Sequence, residues 1–93
     1  DYLDKKSPPP VVQGLVLTTR RGKRSGSEFI KISLGSDDGL LEGHDLYVYR
    51  DKEGKYLGKI TIIHTDPDEA VGMLVTNARN GSIQRGDNVK TKL

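Results

Sequence analysis

Residues 46–76 read LYVYRDKEGKYLGKITIIHTDPDEAVGMLVT. Within this segment, three runs (46–50, 56–64 and 69–76) alternate apolar and polar side chains over the length of a strand. Gly54 lies between the first two runs, where a short hairpin needs a positive φ angle, and Asp66-Pro67-Asp68 lies between the last two. The segment therefore predicts three strands joined by tight turns.

The flanking sequence continues the pattern. Further runs at 11–19, 28–34 and 88–93 also have strand character, with Gly14 as a bend or bulge in the first. No segment longer than a turn shows helical periodicity. We therefore predict an all-β fold, a small barrel, closed or partly open, of about six short strands. Closure is favoured because it removes exposed strand edges.

Length and composition limit the domain organisation. The chain has 93 residues, no cysteine and a formal net charge of +2. We predict one β-barrel domain over residues 12–93, preceded by a linker or disordered N-terminal segment over residues 1–11, which includes Pro8, Pro9 and Pro10. The linker indicates that the domain belongs to a larger protein, and a frayed terminus is the alternative. No apolar run reaches the length of a transmembrane segment.

A seven-residue pattern occurs twice. Residues 40–46 (LLEGHDL) and 83–89 (IQRGDNV) both read apolar, two variable residues, Gly, two polar residues, apolar. We interpret each copy as a one-turn excursion in which Gly43 or Gly86 takes a conformation that other residues avoid, and the following polar side chain, such as Asp87, caps the turn. Two copies in one small domain allow a pseudo-two-fold barrel.

Two charged segments are candidates for binding. Residues 35–39 (GSDDG) place Asp37 and Asp38 between Gly35 and Gly39. A Ca²⁺ site is conceivable there, but the spacing of an EF-hand loop is missing, and we predict that these carboxylates cap backbone amides of a structural turn. The second segment, residues 20–27 (RRGKRSGS), joins the first two predicted strands.

This basic loop carries four cations, Arg20, Arg21, Lys23 and Arg24. Such a loop can contact a phosphate backbone, which makes nucleic-acid or anionic-surface binding the alternative function. No aromatic residue is interleaved with the cations, and we expect Phe29 to belong to the core, so base stacking is not predicted. A solvated hairpin tip is the competing interpretation.

Alternation in 46–50 places Leu46 and Val48 on one side of a strand and Tyr47 and Tyr49 on the other. Together with Tyr56, these tyrosines are our candidates for contact with a protein partner or a second copy. The alternative is that they only cover the outer wall of a strand pair.

Catalytic and metal-binding patterns are missing from the sequence. His44 and His64 lie at no ligand spacing from other donors, and neither a nucleophile elbow nor a phosphate-binding loop occurs. We therefore predict a non-enzymatic domain without a metal or cofactor.

Three stretches, residues 32–40, 43–50 and 55–60, resemble a β-barrel module of bacterial envelope-associated coiled-coil proteins, known from uncharacterised planctomycete proteins. The module is similar to the C-terminal domain of the flagellar assembly protein T and, more loosely, to barrels of the rod-shape-determining protein C class. The resemblance implies a protein-interaction or assembly module in the periplasm or cell envelope, and it implies no catalytic residue. The basic loop is longer than the resemblance leads us to expect.

Overall fold

The computed structural model describes residues 11–22, 27–75 and 80–91. In this part of the chain, six strands form a closed antiparallel barrel in the order β1-β2-β5-β4-β3-β6. The strands are β1 (Gln13–Arg21), β2 (Glu28–Ile32), β3 (Asp45–Arg50), β4 (Lys55–Thr65), β5 (Ala70–Leu74) and β6 (Asn88–Lys90). The predicted all-β barrel is confirmed, and closure is complete. The predicted linker up to residue 10 lies outside the described residues.

Branched aliphatic side chains fill the barrel. Inward positions alternate along each strand, as the pleat requires. Val, Ile and Leu dominate these positions because they pack well on a pleated surface. The buried apolar side chains are Val16, Ile30, Ile32, Leu34, Leu40, Leu46, Val48, Leu57, Ile60, Ile62, Ala70, Leu74, Ile83 and Val89.

The register of the strands shows a pseudo-two-fold relation between the two halves of the chain. β1, β2 and β3 correspond to β4, β5 and β6. In the first half, the ladder between β1 and β2 shifts register between Val16 and Thr18. In the second half, the ladder between β4 and β5 shifts in the same way between Ile62 and His64.

The two copies of the repeated motif are also related by the pseudo-two-fold symmetry. Gly43 N–H donates to the Ile62 carbonyl at 2.8 Å, and Gly86 N–H donates to the Val16 carbonyl at 2.9 Å. Both glycines have positive φ, 94° and 92°. Each turn thus holds the bulged strand at an equivalent position, β4 in one case and β1 in the other. The predicted one-turn excursions and the pseudo-two-fold arrangement are confirmed.

The pseudo-two-fold axis that relates the halves passes through the barrel wall at two places. Lys31 of β2 faces Val71 of β5, and exchanging the halves maps this pair onto itself. Tyr47 of β3 faces Lys90 of β6, and this pair is also its own equivalent. The two pairs mark the centres of two faces on opposite sides of the barrel.

The third strand of each half pairs only with strands of the other half. β3 pairs with β4 and β6, and β6 pairs with β1 and β3. Neither strand pairs with the hairpin that precedes it in its own half. The barrel is therefore held together by contacts between the halves.

Two details differ from the sequence prediction. Gly14 was predicted to mark a bend or bulge, but the register shift lies between Val16 and Thr18. Gly14 is instead packed closely, since a Cβ atom there would lie 2.6 Å from Leu34 Cγ. Phe29 was expected in the core, but it lies half-buried on the outer wall, because the inward positions of β2 are Glu28, Ile30 and Ile32.

Candidate binding faces of the barrel

Apolar side chains occupy the interior of the barrel, so its surfaces for contact with other molecules are those of the outer wall. One candidate surface surrounds the Lys31–Val71 pair. We call it the β2–β5 face and define it by the outward side chains of Arg20, Phe29, Lys31, Glu69, Val71 and Met73.

An apolar strip lies beside Lys31 on the β2–β5 face. Phe29 lies opposite Met73 across the β2–β5 ladder, and Val71 is the next outward residue along β5. Met73 is 38% exposed, one of several exposed large apolar residues in the described part of the chain. Phe29 and Val71 also line a shallow groove of about 490 Å³ together with Thr18, Arg20, Gly22 and Lys31.

One end of this face is basic. Arg20 of β1 is paired with Phe29 of β2 in the ladder, and its side chain is exposed beside that ring. Arg21 belongs to the opposite side of the hairpin, where its Nη2 lies 3.7 Å from Glu28 Oε1. A second, smaller groove of about 230 Å³ lies there, between Arg21, Glu28, Thr19, Ser82 and Ile83. The predicted cation cluster is thus divided, and Lys23 and Arg24 lie outside the described residues.

The other end of the face is acidic. Glu69 Oε1 lies 3.4 Å from Lys31 Nζ, at the start of β5. Asp66 lies in the same turn, and its carboxylate is 3.2 Å from His64 Nε2. Thr18 and His64 are equivalent in the pseudo-two-fold relation, because each follows the register shift of its ladder. Two residues further along the chain, Arg20 is therefore equivalent to Asp66. Equivalent backbone positions therefore carry opposite charges at the two ends.

The acidic end is rigidly built. The Ser36 and Asp37 N–H groups donate to the Asp66 and Pro67 carbonyls, both at 2.9 Å. A Cβ atom on Gly35 would lie 2.2 Å from the Asp66 carbonyl oxygen, so only glycine allows this close approach. Gly35 and Gly39 were predicted as turn glycines, but the packing of Gly35 against the 66–69 turn was not predicted.

The second candidate surface surrounds the Tyr47–Lys90 pair, and we call it the tyrosine face. The rings of Tyr47 and Tyr56 are 6.3 Å apart between centroids. Lys90 Nζ lies 4.5 Å from the centroid of the Tyr49 ring, and the Tyr49 hydroxyl donates to Gln13 Oε1 at 3.3 Å. All three tyrosines lie on the outer wall and are half-buried, and the alternation predicted this position for Tyr47 and Tyr49. The structure thus brings the three together on one face.

Asp87 is a buried carboxylate that accepts three hydrogen bonds. It is 4% exposed, and its two oxygens accept hydrogen bonds from Arg50 Nε at 2.8 Å and Nη2 at 3.0 Å. The Gln84 N–H donates to it at 2.7 Å. Burial by itself raises the pKa of Asp87, but the bonds from Arg50 and Gln84 outweigh burial and hold that pKa below its ordinary value. This carboxylate therefore locks a turn and links it to β3.

His44 is the counterpart of Asp87 in the first half. The Leu41 N–H donates to His44 Nδ1 at 3.1 Å, as Gln84 N–H donates to Asp87. The predicted capping by the residue after the motif glycine is confirmed in both copies. Asp38 likewise accepts a bond from Gly35 N–H at 3.0 Å, which confirms its predicted role in a structural turn. Asp37 is exposed at the surface of that turn.

Within residues 11–22, 27–75 and 80–91, no three His, Asp or Glu side chains are grouped as metal ligands. The part of the chain that the structure describes also contains no helix long and apolar enough to cross a membrane.

Compared with models of protein families, with curated proteins and with solved structures, the chain gives no significant match. The resemblance to the envelope-associated barrel module therefore stays a prediction from its residues.

Proposed function

We propose that this domain is a non-enzymatic protein-interaction or assembly module, and that its partner binds the outer wall of the barrel. The observation that carries the proposal is the apolar strip on the β2–β5 face, where Phe29, Val71 and Met73 face outward beside Arg20 and Lys31. Apolar side chains that are rimmed by charge are typical of protein contact surfaces. The placement in a bacterial envelope protein rests on the sequence resemblance alone.

The tyrosine face is the second contact candidate within this function. Its rings present large amphipathic surfaces, which anchor many protein interfaces. However, Tyr49 already has a cation and a hydrogen-bond acceptor within its own chain. We therefore rank this face below the β2–β5 face.

Site-specific photo-cross-linking tests the proposal. A benzophenone amino acid is introduced at Met73, at Tyr47 or, as a matched exposed control, at Lys52, and the cells that make the protein are irradiated. We expect a discrete protein adduct from position 73, a weaker adduct or none from position 47, and none from position 52. Absence of protein adducts from both 73 and 47 would contradict a protein-interaction function.

Binding of nucleic acid or of another anionic surface is the second candidate function. The observation that favours it is the outward Phe29 ring beside Arg20, which offers the aromatic surface that the sequence analysis did not expect. Base stacking on an aromatic ring next to a cation is a common arrangement in single-strand binding. Asp66 and Glu69 at the other end of the same face oppose a polyanion, which is why we rank this function second.

Fluorescence anisotropy decides between the two. The domain is titrated into a labelled single strand and a labelled duplex at low and at physiological salt. A variant with alanine at Arg20, Arg21, Lys23 and Arg24 is titrated in parallel. Binding that falls steeply with salt and is lost in the variant would establish nucleic-acid binding. No binding at low salt would eliminate it.

A further inference from the structure

The centre of the tyrosine face is a row of outward side chains that crosses four strands. Tyr47 of β3 lies between Lys59 of β4 and Lys90 of β6. Gln13 of β1 lies opposite Lys90 and ends the row. The row therefore reads cation, ring, cation and amide over roughly 15 Å, since neighbouring strands lie about 4.8 Å apart.

A second row, two residues further along β3, continues the aromatic surface. Tyr49 lies between Tyr56 of β4 and Asn88 of β6. Leu15 of β1 lies opposite Asn88 and ends this row. The rings of Tyr47 and Tyr56 are inclined to each other by 53°, so neither ring is stacked on the other. Both tyrosines are half-buried, which leaves part of each ring accessible.

The two lysines of this face are available to an anionic ligand. In the part of the chain that the structure describes, neither Lys59 nor Lys90 forms an ion pair with a carboxylate. Lys90 Nζ lies 4.5 Å from the centroid of the Tyr49 ring. That contact positions the ammonium group and does not neutralise it.

The two rows contain no carboxylate, and all of their positions are among the described residues. Asp45, the outward residue before Tyr47 on β3, lies beyond the rows, and its carboxylate accepts a bond from the Thr61 hydroxyl at 2.8 Å. On the β2–β5 face, by contrast, Lys31 Nζ lies 3.4 Å from Glu69 Oε1. The centre of the tyrosine face is therefore positive and aromatic.

We propose that the tyrosine face binds single-stranded nucleic acid, with bases stacked on Tyr47 and Tyr56 and backbone phosphates at Lys59 and Lys90. Aromatic rings for bases and cations for phosphates are the two elements of sequence-tolerant single-strand binding. An acidic protein segment would use the lysines and leave the rings unused. This binding site is distinct from the basic loop, and it goes beyond the proposed protein-interaction function.

Fluorescence anisotropy with two labelled probes of equal charge tests the inference. One probe is an oligothymidylate of about 8 nucleotides, and the other is an abasic strand with the same sugar-phosphate backbone. We expect the abasic strand to bind at least about fivefold more weakly, because it offers phosphates to the lysines but no base to the tyrosines. Equal affinity for the two probes would reduce the contact to charge alone and overturn the inference.

Variants at Tyr47 separate the ring from the rest of the side chain. Tyr47→Leu removes the ring and keeps apolar bulk, and we expect it to weaken oligothymidylate binding at least about fivefold. Tyr47→Phe keeps the ring and is expected to bind like the wild type. Phe29→Ala is the matched aromatic control on the opposite face and should leave binding unchanged. Circular dichroism shows whether each variant is folded.

Variants at lysine test the phosphate contacts through the salt dependence of binding. Lys59→Ala is expected to reduce the slope of log affinity against log salt by about 0.7, the value of one phosphate contact to a single strand. Lys52→Ala is the matched control, because Lys52 is exposed in the β3–β4 turn, away from the two rows. Equal slopes for Lys59→Ala and the wild type would contradict the assigned phosphate contact.

The location of the site is tested with the variant that carries alanine at Arg20, Arg21, Lys23 and Arg24, which is expected to retain oligothymidylate binding. Binding that this variant or Phe29→Ala abolishes and Tyr47→Leu retains would overturn the inference, as would no binding at low salt. Neither result affects the proposed protein-interaction function, which the cross-link from position 73 tests separately.

Discussion

The two halves of the barrel share a backbone plan and differ in what they place on it. Each half contributes a bulged hairpin and a glycine turn that holds the bulged strand of the other half. At the outer ends of the two hairpins, the first half carries Arg20 and the second carries Asp66 at the equivalent position. The fold therefore constrains the inward and turn positions, whereas the outer positions are free to diverge and give the two ends opposite charge.

The two hairpin connections differ most. The turn at residues 66–69 is short and packs against the backbone at Gly35. The connection between β1 and β2 has more residues, and the residue equivalent to Gly35 is Val75. A tight acidic turn and a long basic connection thus occupy pseudo-symmetric places.

The largest effect is expected when Gly35 is replaced by valine, the residue at the equivalent position 75. We expect Gly35→Val to destabilise the domain by about 4 kcal/mol or more, because a Cβ atom would overlap backbone atoms that cannot move independently. Urea unfolding followed by circular dichroism measures the loss. Gly43→Ala is a control with a positive φ but open space around the Cβ, and a smaller loss is expected there. Equal losses would show that the close packing at Gly35 is unimportant.

The two turn caps predict unequal losses. We expect Asp87→Ala to cost about 3 kcal/mol, because it removes two charged hydrogen bonds from the partly buried Arg50 and the cap on the Gln84 N–H. His44→Ala removes only one bond to the Leu41 N–H and is expected to cost about 1 kcal/mol. Urea unfolding of both variants beside the wild type provides the comparison. Similar costs would mean that the Arg50 pair adds nothing to the cap.

The Asp87 cap should also make the free energy of unfolding depend on pH in acid. The pKa of Asp87 in the folded state lies below its ordinary value of 3.8, so the folded state binds protons less readily than the unfolded state. Its stabilising contribution is therefore complete above that ordinary value and is lost as the pH falls through the lower folded pKa. We expect the free energy of unfolding to fall less steeply with acid below about pH 4 in Asp87→Asn than in the wild type. Identical slopes would assign the acid sensitivity to other carboxylates.

Substitutions on the tyrosine face are expected to have the smallest effect on stability. Tyr49→Phe removes an exposed hydrogen bond to Gln13 and keeps the ring under Lys90, so we expect a loss of at most about 0.5 kcal/mol. Tyr49→Ala also removes the ring and should cost more. Thermal unfolding of both variants measures the difference, and a large effect of the phenylalanine variant would show that the hydroxyl matters more than the ring.

Alternation and turn residues were sufficient to predict the strands and the motif turns. The runs at 46–50 and 56–64 fall within β3 and β4, and Gly43, Gly54 and Gly86 have the expected positive φ. Period-two patterns carry this information because burial alternates along a half-buried strand.

The candidate surface could not be predicted in the same way. Phe29, Val71 and Met73 are apolar, and hydrophobicity alone assigns apolar residues to the inside. The structure turns them outward because Ile30, Ile32, Ala70 and Leu74 occupy the inward positions of β2 and β5. In β5 both alternations are apolar, and which of them faces inward depends on the register between distant strands rather than on local sequence.

The exchange of the third strands determines how this chain can be divided. Cutting the backbone at Gly54 separates the halves, yet β3 then has no strand partner within its own fragment, since it pairs with β4 and β6. Each fragment lacks the strands that pair with its own last strand, and it contains strands that pair with the last strand of the other fragment. The two fragments are therefore expected to be unfolded alone and to reassemble when mixed, which makes this barrel suited to split-protein complementation.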